Sequence, residues 1–434
     1  MLRTTAAVVA GKTARAASRL RGGGSALPGL VAERLDPHFL AHALADVRRG
    51  IVVVSGTNGK TTTTKMLVAI LRAHGLKVFT NPTGSNFTRG VISSMLGELP
   101  MDGQLQADMA VLELDEAHAL RFADAVKPTH ALLLNVARDQ LDRFAEIDHT
   151  ARLLARLAEQ ATTGVVLNLD DSFISRIRDQ VSAGVQVRYF GVDASIADRL
   201  PELQEQDVRF DDDFTPPSPG PDDGLLRPVD ERSFEVVFPG GEVVGPLQLQ
   251  QRGLAAMINA TAATTAARLL LGADFRARDA ERALRAVTPP FGRGEVIDAG
   301  GQQLELVLVK NPAGFTVALG TYGGTPVPTM IAINDNYADG RDVSWLYDVS
   351  FESLRGEGVE LTSGVRAYDM ALRLEYDDVA VGAIEPDLDR ALDAFLRLRP
   401  GEAKRIFCTY TAMMALRRTL AARYHLPAIG EEKP

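Results

Sequence analysis

Residues Gly50 to Thr64 read GIVVVSGTNGKTTTT, in which an apolar run of β-branched residues is followed by two glycines and then by a helical pattern. This order is typical of a strand, a phosphate-binding loop and a helix, because the backbone N–H groups of a glycine-rich turn can point at a phosphate. Lys60 adds a mobile positive charge, and Thr61 offers a hydroxyl group to Mg²⁺. The stretch predicts a nucleotide site formed by Gly56, Thr57, Asn58, Gly59, Lys60, Thr61 and Thr62.

The loop is shorter than the usual Walker pattern, since Val54 and Ser55 stand where the first glycine of that pattern would be. A plain glycine turn between a strand and a helix is the alternative. The Lys-Thr pair at the start of the helix favours phosphate binding.

Composition narrows the classes of function. The chain has 434 residues, of which 46% are hydrophobic, and this is enough for two or three domains. Its net charge of -9 argues against general binding to nucleic acid. The single cysteine, Cys408, excludes an internal disulfide and a multi-cysteine zinc site, so no zinc is expected. No run of about 18 apolar residues is present, so we expect no transmembrane helix.

The first thirty residues carry basic but no acidic side chains; the basic residues are Arg3, Lys12, Arg15, Arg19 and Arg21. This composition resembles a transit peptide, whereas the apolar patch from Ala6 to Ala10 is too short for a secretory signal. Two other interpretations stay open. The segment is either a basic surface helix facing an anionic substrate or lipid headgroups, or an ordinary solvated helix face.

Apolar strands and helical segments alternate after the loop, which predicts an α/β fold with a largely parallel sheet. A helix is predicted from Thr61 to His74. Three strands that follow have polar carboxyl ends, at residues 113–116, 135–139 and 168–171. Open α/β sheets bind ligands at this edge, so we expect acidic side chains there to serve the site.

The predicted organisation is two domains with one insert. Residues 1–50 form a lead and helix that belong to the first domain, residues 51–290 form a nucleotide-binding domain, and residues 291–434 form a smaller α/β domain. Residues 200–232 are rich in Asp, Pro and Gly, above all from residue 211. We expect them to be a flexible segment that holds no sheet ladder.

Together these motifs resemble the Mur ligase family. The resemblance covers nearly the whole chain and is carried by SGTNGKTTT, the ELDE and NVARDQLDR strand ends, the helix around Asn259, FGRGE and KNPAG. Within the family the MurT synthetase subunits are most similar, because RDQLDR, VKNPAG and NDNYADGRDVSWLYD resemble signatures of that group. The implied fold is a Mur-ligase-like central P-loop ATPase domain with a parallel sheet, followed by a smaller Rossmann-like α/β domain.

The resemblance implies an ATP-dependent ligase of peptidoglycan synthesis. ATP would phosphorylate the D-glutamate α-carboxylate of the lipid II stem peptide at the cytoplasmic face of the membrane, and ammonia would then attack the acyl phosphate to give D-isoglutamine. The implied cofactors are ATP and Mg²⁺. Lys60 and Glu113 would be catalytic, and Thr61 and Glu113 would be the metal ligands.

Further residues are assigned by the same resemblance. Asn259 and Arg293 would contact the nucleotide, and Lys310 and Asn311 would line its adenine or ribose side near the hinge. In amino-acid-adding relatives a histidine that helps to hold a second metal ion stands at the position of Gln140, so the number of metal ions stays open.

Ammonia must come from elsewhere, because glutamine hydrolysis needs a nucleophilic cysteine with a histidine base. Cys408 lies in an apolar strand, where burial makes a thiol inert. The resemblance implies a heterodimer with a GatD-like glutaminase, whose triad would be completed by Asp348, with Asp342 as the alternative.

Two other functions are possible from the sequence. One is an amino-acid-adding ligase similar to folylpolyglutamate synthase, since that enzyme also lacks a separate UDP-sugar-binding domain. The other is a non-catalytic, nucleotide-gated scaffold, which an intact set of Lys60, Thr61 and Glu113 disfavours. Many MurT-like chains carry a four-cysteine zinc ribbon where this chain has residues 200–232, and four cysteines are not available here.

Overall fold

The structure is a computed structural model that describes residues 2–20, 26–81, 87–137, 147–195, 214–230, 233–289, 293–322, 326–424 and 426. Its strands form two sheets of nine and six strands. Both sheets are mostly parallel and covered by helices, so the predicted α/β class is confirmed.

The strands of the first sheet are β1 (Ile51–Ser55), β2 (Val78–Thr80), β3 (Met109–Glu113), β4 (His130–Leu133), β5 (Gly164–Asn168), β6 (Gln186–Val192), β7 (Gly224–Pro228), β8 (Ser233–Val237) and β9 (Val243–Gln248). They lie in the order β2-β3-β1-β4-β5-β6-β7-β8-β9. The pairs from β2 to β7 are parallel, whereas β8 is antiparallel to both of its neighbours.

The helices of this part are α1 (Leu2–Leu20), α2 (Ala26–Leu35), α3 (Phe39–Leu44), α4 (Lys60–Ala73), α5 (Thr88–Glu98), α6 (Glu116–Ala125), α7 (Ile147–Gln160), α8 (Ser172–Ser175), α9 (Leu254–Leu271) and α10 (Ala277–Ala286). Side chains of β1 alternate between the two faces: Val53 packs into one core and Val54 into the other. Helices α4, α9 and α10 cover the face of Val54, and the remaining helices cover the opposite face.

The second sheet consists of β10 (Arg293–Asp298), β11 (Gln303–Leu308), β12 (Thr329–Ala332), β13 (Val359–Ser363), β14 (Val381–Glu385) and β15 (Lys404–Cys408), in the order β10-β11-β15-β12-β13-β14. Its helices are α11 (Pro312–Tyr322), α12 (Ala367–Tyr376), α13 (Leu388–Arg397) and α14 (Tyr410–Tyr424). The sheet is parallel except that β10 is antiparallel to β11. It begins close to the boundary expected near residue 290, and residues 290–292 themselves lie outside the described residues.

Strand β1 brings the phosphate loop to the middle of the first sheet. It lies between β3 and β4, with Val54 opposite Glu113 and Ser55 opposite Leu133. All three strands are parallel, so their carboxyl ends meet around the loop. From β1 the chain passes to β2 and β3 on one side of the sheet and then to β4 on the other side. The carboxyl edge at β1 is therefore a topological switch point.

One part of the expected flexible insert is a strand. Residues Gly224–Pro228 form β7, which pairs with β6 on one side and with β8 on the other. The expectation that residues 211–232 hold no sheet ladder is therefore wrong for this stretch. Hydrogen bonds to two neighbouring strands hold it in the sheet, and local composition does not reveal such pairing. Residues 196–213, 231 and 232 lie outside the described residues.

The basic helix α1 belongs to the first domain and is partly used for structure. The ammonium group of Lys12 donates a hydrogen bond of 2.7 Å to the carbonyl of Leu99, and the guanidinium of Arg15 lies against Gly97. Both cations therefore sit at the carboxyl end of α5, where a helix dipole favours positive charge. This arrangement leaves fewer cations for lipid headgroups than the sequence suggested.

Helix α9, extended to Asp274, is long and apolar enough to cross a membrane by length and composition alone. However, 61% of that window is buried inside the fold. The helix packs on α4 and on β6, so it is a core helix of the first domain.

Candidate active site

The phosphate loop is a tight turn that two glycines make possible. Gly56 has φ 131° and Gly59 has φ 85°, both in the region that side chains rarely adopt. A Cβ atom on Gly59 would also collide with the side-chain oxygen of Asn259 on α9. Gly59 is the N-cap of α4, so the loop delivers Lys60 and Thr61 directly into the first turn of that helix.

Asn135, which follows β4, holds this loop in place. Its side-chain oxygen accepts from the N–H of Asn58 at 2.8 Å, and its side-chain nitrogen donates to the carbonyl of Asn58 at 3.0 Å. Its own carbonyl accepts from the N–H of Thr57 at 3.0 Å. Asn135 stands at a strand end that the sequence predicts, but its contact with the loop depends on the pairing of distant segments, which sequence patterns do not show.

Lys60 points back over its own loop. Its ammonium group donates to the carbonyl oxygens of Gly56 and Thr57, the latter at 3.2 Å. It also lies 3.6 Å from a carboxylate oxygen of Glu116, in the first turn of α6. The side chains of Lys60 and Glu116 are 11% and 4% exposed, so this ion pair is shielded from water.

Thr61 and Glu113 meet beside Lys60. The Thr61 hydroxyl donates to a carboxylate oxygen of Glu113 at 2.7 Å. The backbone of Glu113 is clamped by Asn81, which donates to its carbonyl at 2.8 Å and accepts from its N–H at 2.9 Å. Asn81 is buried and was not predicted.

This oxygen pair fits Mg²⁺. Magnesium prefers oxygen ligands, and it is commonly held by one or two protein groups, with waters and phosphate oxygens completing the octahedron. Among the residues that the structure describes, no group of three or more His, Cys, Asp or Glu side chains could hold a metal ion. Thr61 and Glu113 therefore supply the number of protein ligands that such a site needs. Gln140 lies outside the described residues.

The structure describes the other residues predicted to contact the nucleotide to different extents. Asn259 lies against Gly59, next to the loop as expected. Thr62 is buried in the first turn of α4. The backbone of Arg293 begins β10, but its side chain is outside what the structure describes.

Asn311 contacts the phosphate loop. Its side-chain nitrogen donates to the side-chain oxygen of Asn58 at 3.2 Å, and its oxygen accepts from the N–H of Gly314 at 2.7 Å. Asn311 is fully buried and precedes α11, so this bond joins the second domain to the loop. Lys310 is the preceding residue and is half-buried. The assignment of Asn311 to the adenine or ribose side of the nucleotide stays a prediction.

The acidic strand ends do not all serve the site. Asp171 accepts hydrogen bonds from the N–H groups of Phe173 and Ile174, and from that of Val136 at 3.0 Å. Asp170 accepts from the N–H of Val192 at 2.9 Å. These two carboxylates fix turns of the sheet, and among the described residues Glu113 contacts Thr61 and Glu116 contacts Lys60 at the loop.

Comparison with known proteins agrees with this architecture. Residues 54–267 match the family model of the Mur ligase middle domain, and residues 308–413 match that of the MurT ligase C-terminal region. The chain is 32% identical over 460 residues to the lipid II isoglutaminyl synthase (glutamine-hydrolyzing) subunit MurT of Streptococcus pneumoniae, and this match covers 97% of the chain and 98% of the relative. The chain belongs to the MurT group of the Mur ligase family.

Solved structures share the Mur ligase fold. MurF from Acinetobacter baumannii aligns with a TM-score of 0.68 at 18% identity, covering 92% of this chain and 80% of that one. Escherichia coli FolC in complex with DHPP and ADP aligns with a TM-score of 0.63 at 16% identity, covering 89% of this chain and 92% of that one. At such low identities these likenesses show the fold alone.

The aspartates predicted to serve a partner lie on the second domain of this MurT-family chain. Asp348 is exposed at the end of a short 3-10 helix, Ser344–Asp348. Asp342 precedes that helix, and its carboxylate accepts from the N–H of Ser344 at 2.9 Å. Asp342 is thus engaged in a local turn, and the role of Asp348 in a partner's triad stays a prediction.

Cys408 is a structural residue. It is fully buried in β15, and burial raises the pKa of its thiol far above the usual range. A thiol in this environment does not form the thiolate that glutamine hydrolysis requires. The structure therefore agrees with the expectation that Cys408 is inert.

Proposed function

We propose that this chain is the synthetase subunit of a lipid II isoglutaminyl synthase. It would use ATP to amidate the α-carboxylate of D-glutamate in the lipid II stem peptide, with ammonia from a glutaminase subunit. The observation that carries the proposal is the convergence of Lys60, Thr61 and Glu113 at one phosphate loop in a member of the MurT group.

The chemistry explains why such a loop is needed. A free carboxylate is a poor electrophile, and phosphorylation gives it a leaving group. The carboxylate and the terminal phosphate are both anions, so cations must lie between them. Lys60 would supply one positive charge, and Mg²⁺ held by Thr61 and Glu113 would polarise the phosphate oxygens.

The second domain would protect the acyl phosphate. Asn311 already contacts Asn58 in the loop, and Gly253 at the start of α9 approaches Thr321 of α11 so closely that a Cβ atom would collide with it. These contacts bring α11 over the loop. Water is thereby kept away from an intermediate that it would otherwise hydrolyse.

A glutaminase subunit would dock on the second domain beside Asp348. Helix α12 and the residue before its N-cap expose an apolar stripe, defined by Val365, Tyr368, Leu372 and Tyr376, and we call it the α12 face. These residues are spaced by three or four positions, so they share one side of the helix. Tyr347, the neighbour of Asp348, contacts Tyr376 with a ring distance of 6.0 Å. The partner's triad and its docking surface would therefore be continuous.

The expected location follows from the substrate. Lipid II is held in the membrane by its lipid, so a soluble synthetase would act at the cytoplasmic face, where ATP is available. The likeness to MurF and FolC does not bear on this point, since it concerns the fold alone.

The test is amidation of lipid II by the purified chain with ATP, Mg²⁺ and isotopically labelled ammonium. We expect the label in the α-carboxamide of the stem peptide, together with one ADP for each amide. A parallel reaction with a reduced folate and glutamate serves as the control for the folylpolyglutamate alternative. Glutamate addition to folate without amidation of lipid II would overturn the proposal.

A further inference from the structure

The carboxylate of Glu116 is buried but poorly satisfied. The residue is 4% exposed, and among the described residues its one ion-pair partner is Lys60 at 3.6 Å. Within the described part of the chain no hydrogen-bond donor reaches its oxygens. A buried carboxylate ordinarily accepts several hydrogen bonds, because its desolvation is otherwise costly. Glu116 therefore retains acceptor capacity beside Lys60.

Bound ATP would draw Lys60 away from Glu116. In phosphate loops the lysine reaches the β- and γ-phosphate oxygens, so bound ATP draws its ammonium group away from the loop carbonyls. Removing one member of a buried ion pair leaves the other charge uncompensated. A second cation must then approach Glu116, or the charge remains unbalanced.

The position of Glu116 matches the place where nitrogen must arrive. Glu113 accepts from Thr61 and would share Mg²⁺ with it, and Glu116, three residues further along the chain at the start of α6, lies beside Lys60. In phosphate loops this lysine reaches the β- and γ-phosphates, so a carboxylate beside it lies at the end of the site where the transferred phosphate binds. The acyl phosphate is formed from that phosphate, so its carbonyl carbon and the attacking nitrogen must be close to this end.

The group that now faces Glu116 indicates the kind of ligand. The Lys60 side chain ends in an ammonium group, whose N–H bonds point at the carbonyl oxygens of Gly56 and Thr57 and whose charge faces Glu116. A free ammonium ion carries the same charge and the same donors. When Lys60 moves to the phosphates, an ion of this kind fits the surroundings that the lysine leaves.

We propose that Glu116 binds the nitrogen substrate as ammonium and removes a proton from it. This inference rests on the proposed function and adds a catalytic residue to it. Ammonium gives one proton to the Glu116 carboxylate and becomes ammonia. The nitrogen lone pair attacks the carbonyl carbon, a C–N bond forms, and the C–O bond to phosphate breaks. The phosphate leaves with the electron pair and takes up the proton that the new amide nitrogen loses.

The experiment compares two nucleophiles in Glu116→Gln. Near neutral pH ammonia is present almost entirely as ammonium, whereas hydroxylamine is largely uncharged and needs no carboxylate to hold or deprotonate it. The wild type, Glu116→Gln and the surface control Glu159→Gln on α7 each receive ATP, Mg²⁺ and lipid II with either nucleophile. We measure amide and hydroxamate formation and titrate Mg²⁺ and ATP.

We expect Glu116→Gln to lose on the order of 10²-fold in kcat/KM for ammonium, since general-base catalysis contributes at least that much. Hydroxamate formation should fall by less than about tenfold, which would also show that the variant folds and activates the carboxylate. Glu159→Gln should resemble the wild type.

Three results would overturn the inference. Unchanged use of ammonium would show that Glu116 has no role in nitrogen transfer. Equal losses with both nucleophiles would mean that Glu116 only positions Lys60, and a higher Mg²⁺ requirement would mean that it is a metal ligand. Failure of the wild type with both nucleophiles would instead contradict the proposed function itself.

Discussion

The phosphate loop and the α12 face differ in how far other residues of the chain bond to them and cover them. At the loop, Asn135 fixes Asn58, Asn81 fixes Glu113, and the reacting groups are shielded from water. On the α12 face, large aromatic side chains such as Tyr368 and Tyr376 are exposed. The first region is preorganised for chemistry, whereas the second is the surface that we propose for docking of a partner. We infer that this chain activates the carboxylate by itself, whereas a partner subunit supplies the ammonia.

The largest expected effect is on glutamine use in Asp348→Asn. If Asp348 orients the histidine of the partner's triad, its loss should lower glutamine-dependent amidation by on the order of 10⁴-fold, as for other triads that lose their aspartate. Ammonium-dependent amidation should be unchanged. Asp342→Asn is the matched control, because that carboxylate is engaged with Ser344. Equal loss with both nitrogen sources would assign Asp348 to the ligase site instead.

Lys60→Ala should affect both nitrogen sources alike. Lys60 would neutralise the transferred phosphate in either reaction, and removal of one such group costs about 10²- to 10³-fold in kcat. Lys65→Ala on the same helix is the control, because its ammonium group donates to Thr288 away from the loop. A loss of activity with glutamine but not with ammonium would contradict the assignment of Lys60 to carboxylate activation.

Leu372→Glu should weaken the complex without changing ammonium-dependent activity. A charge placed in the middle of an apolar interface costs about 2 kcal/mol or more, which corresponds to about 30-fold in Kd. Leu35→Glu on α2 is the matched control, since Leu35 is about equally exposed. Binding is measured by titration of the glutaminase, and an unchanged Kd would exclude the α12 face as the docking surface.

The smallest effect is expected at the contact between the domains. The hydrogen bond from Asn311 to Asn58 should contribute about 1 kcal/mol to closure over ATP, or about fivefold in kcat/KM. A double-mutant cycle with Asn58→Ala and Asn311→Ala isolates this contribution from the other roles of each residue. Additive effects would show that the bond does not couple the second domain to the loop.

The sequence predicts those parts of the fold that local patterns determine. The β-branched run before Gly56 and the Lys-Thr pair after Gly59 lead to β1, the loop and α4, because strand propensity and glycine geometry are local properties. Strand β7 was not predicted, since its stability comes from pairing with β6 and β8.

The same distinction holds within the site. The types of residue at Lys60, Thr61 and Glu113 already indicate phosphate and metal binding. Asn135 and Glu116 gain their roles only when strands distant in sequence meet at one sheet edge. The sequence could assign Asp170 and Asp171 to a strand end, but only tertiary hydrogen bonds show that they stabilise turns.

The central claim is tested most directly by the nitrogen source that the purified chain can use alone. With ATP, Mg²⁺ and lipid II, we predict amidation from ammonium but none from glutamine, and we predict that added glutaminase subunit restores glutamine use. This outcome follows from a complete loop and an inert Cys408. Glutamine-driven amidation by the chain alone would contradict the account.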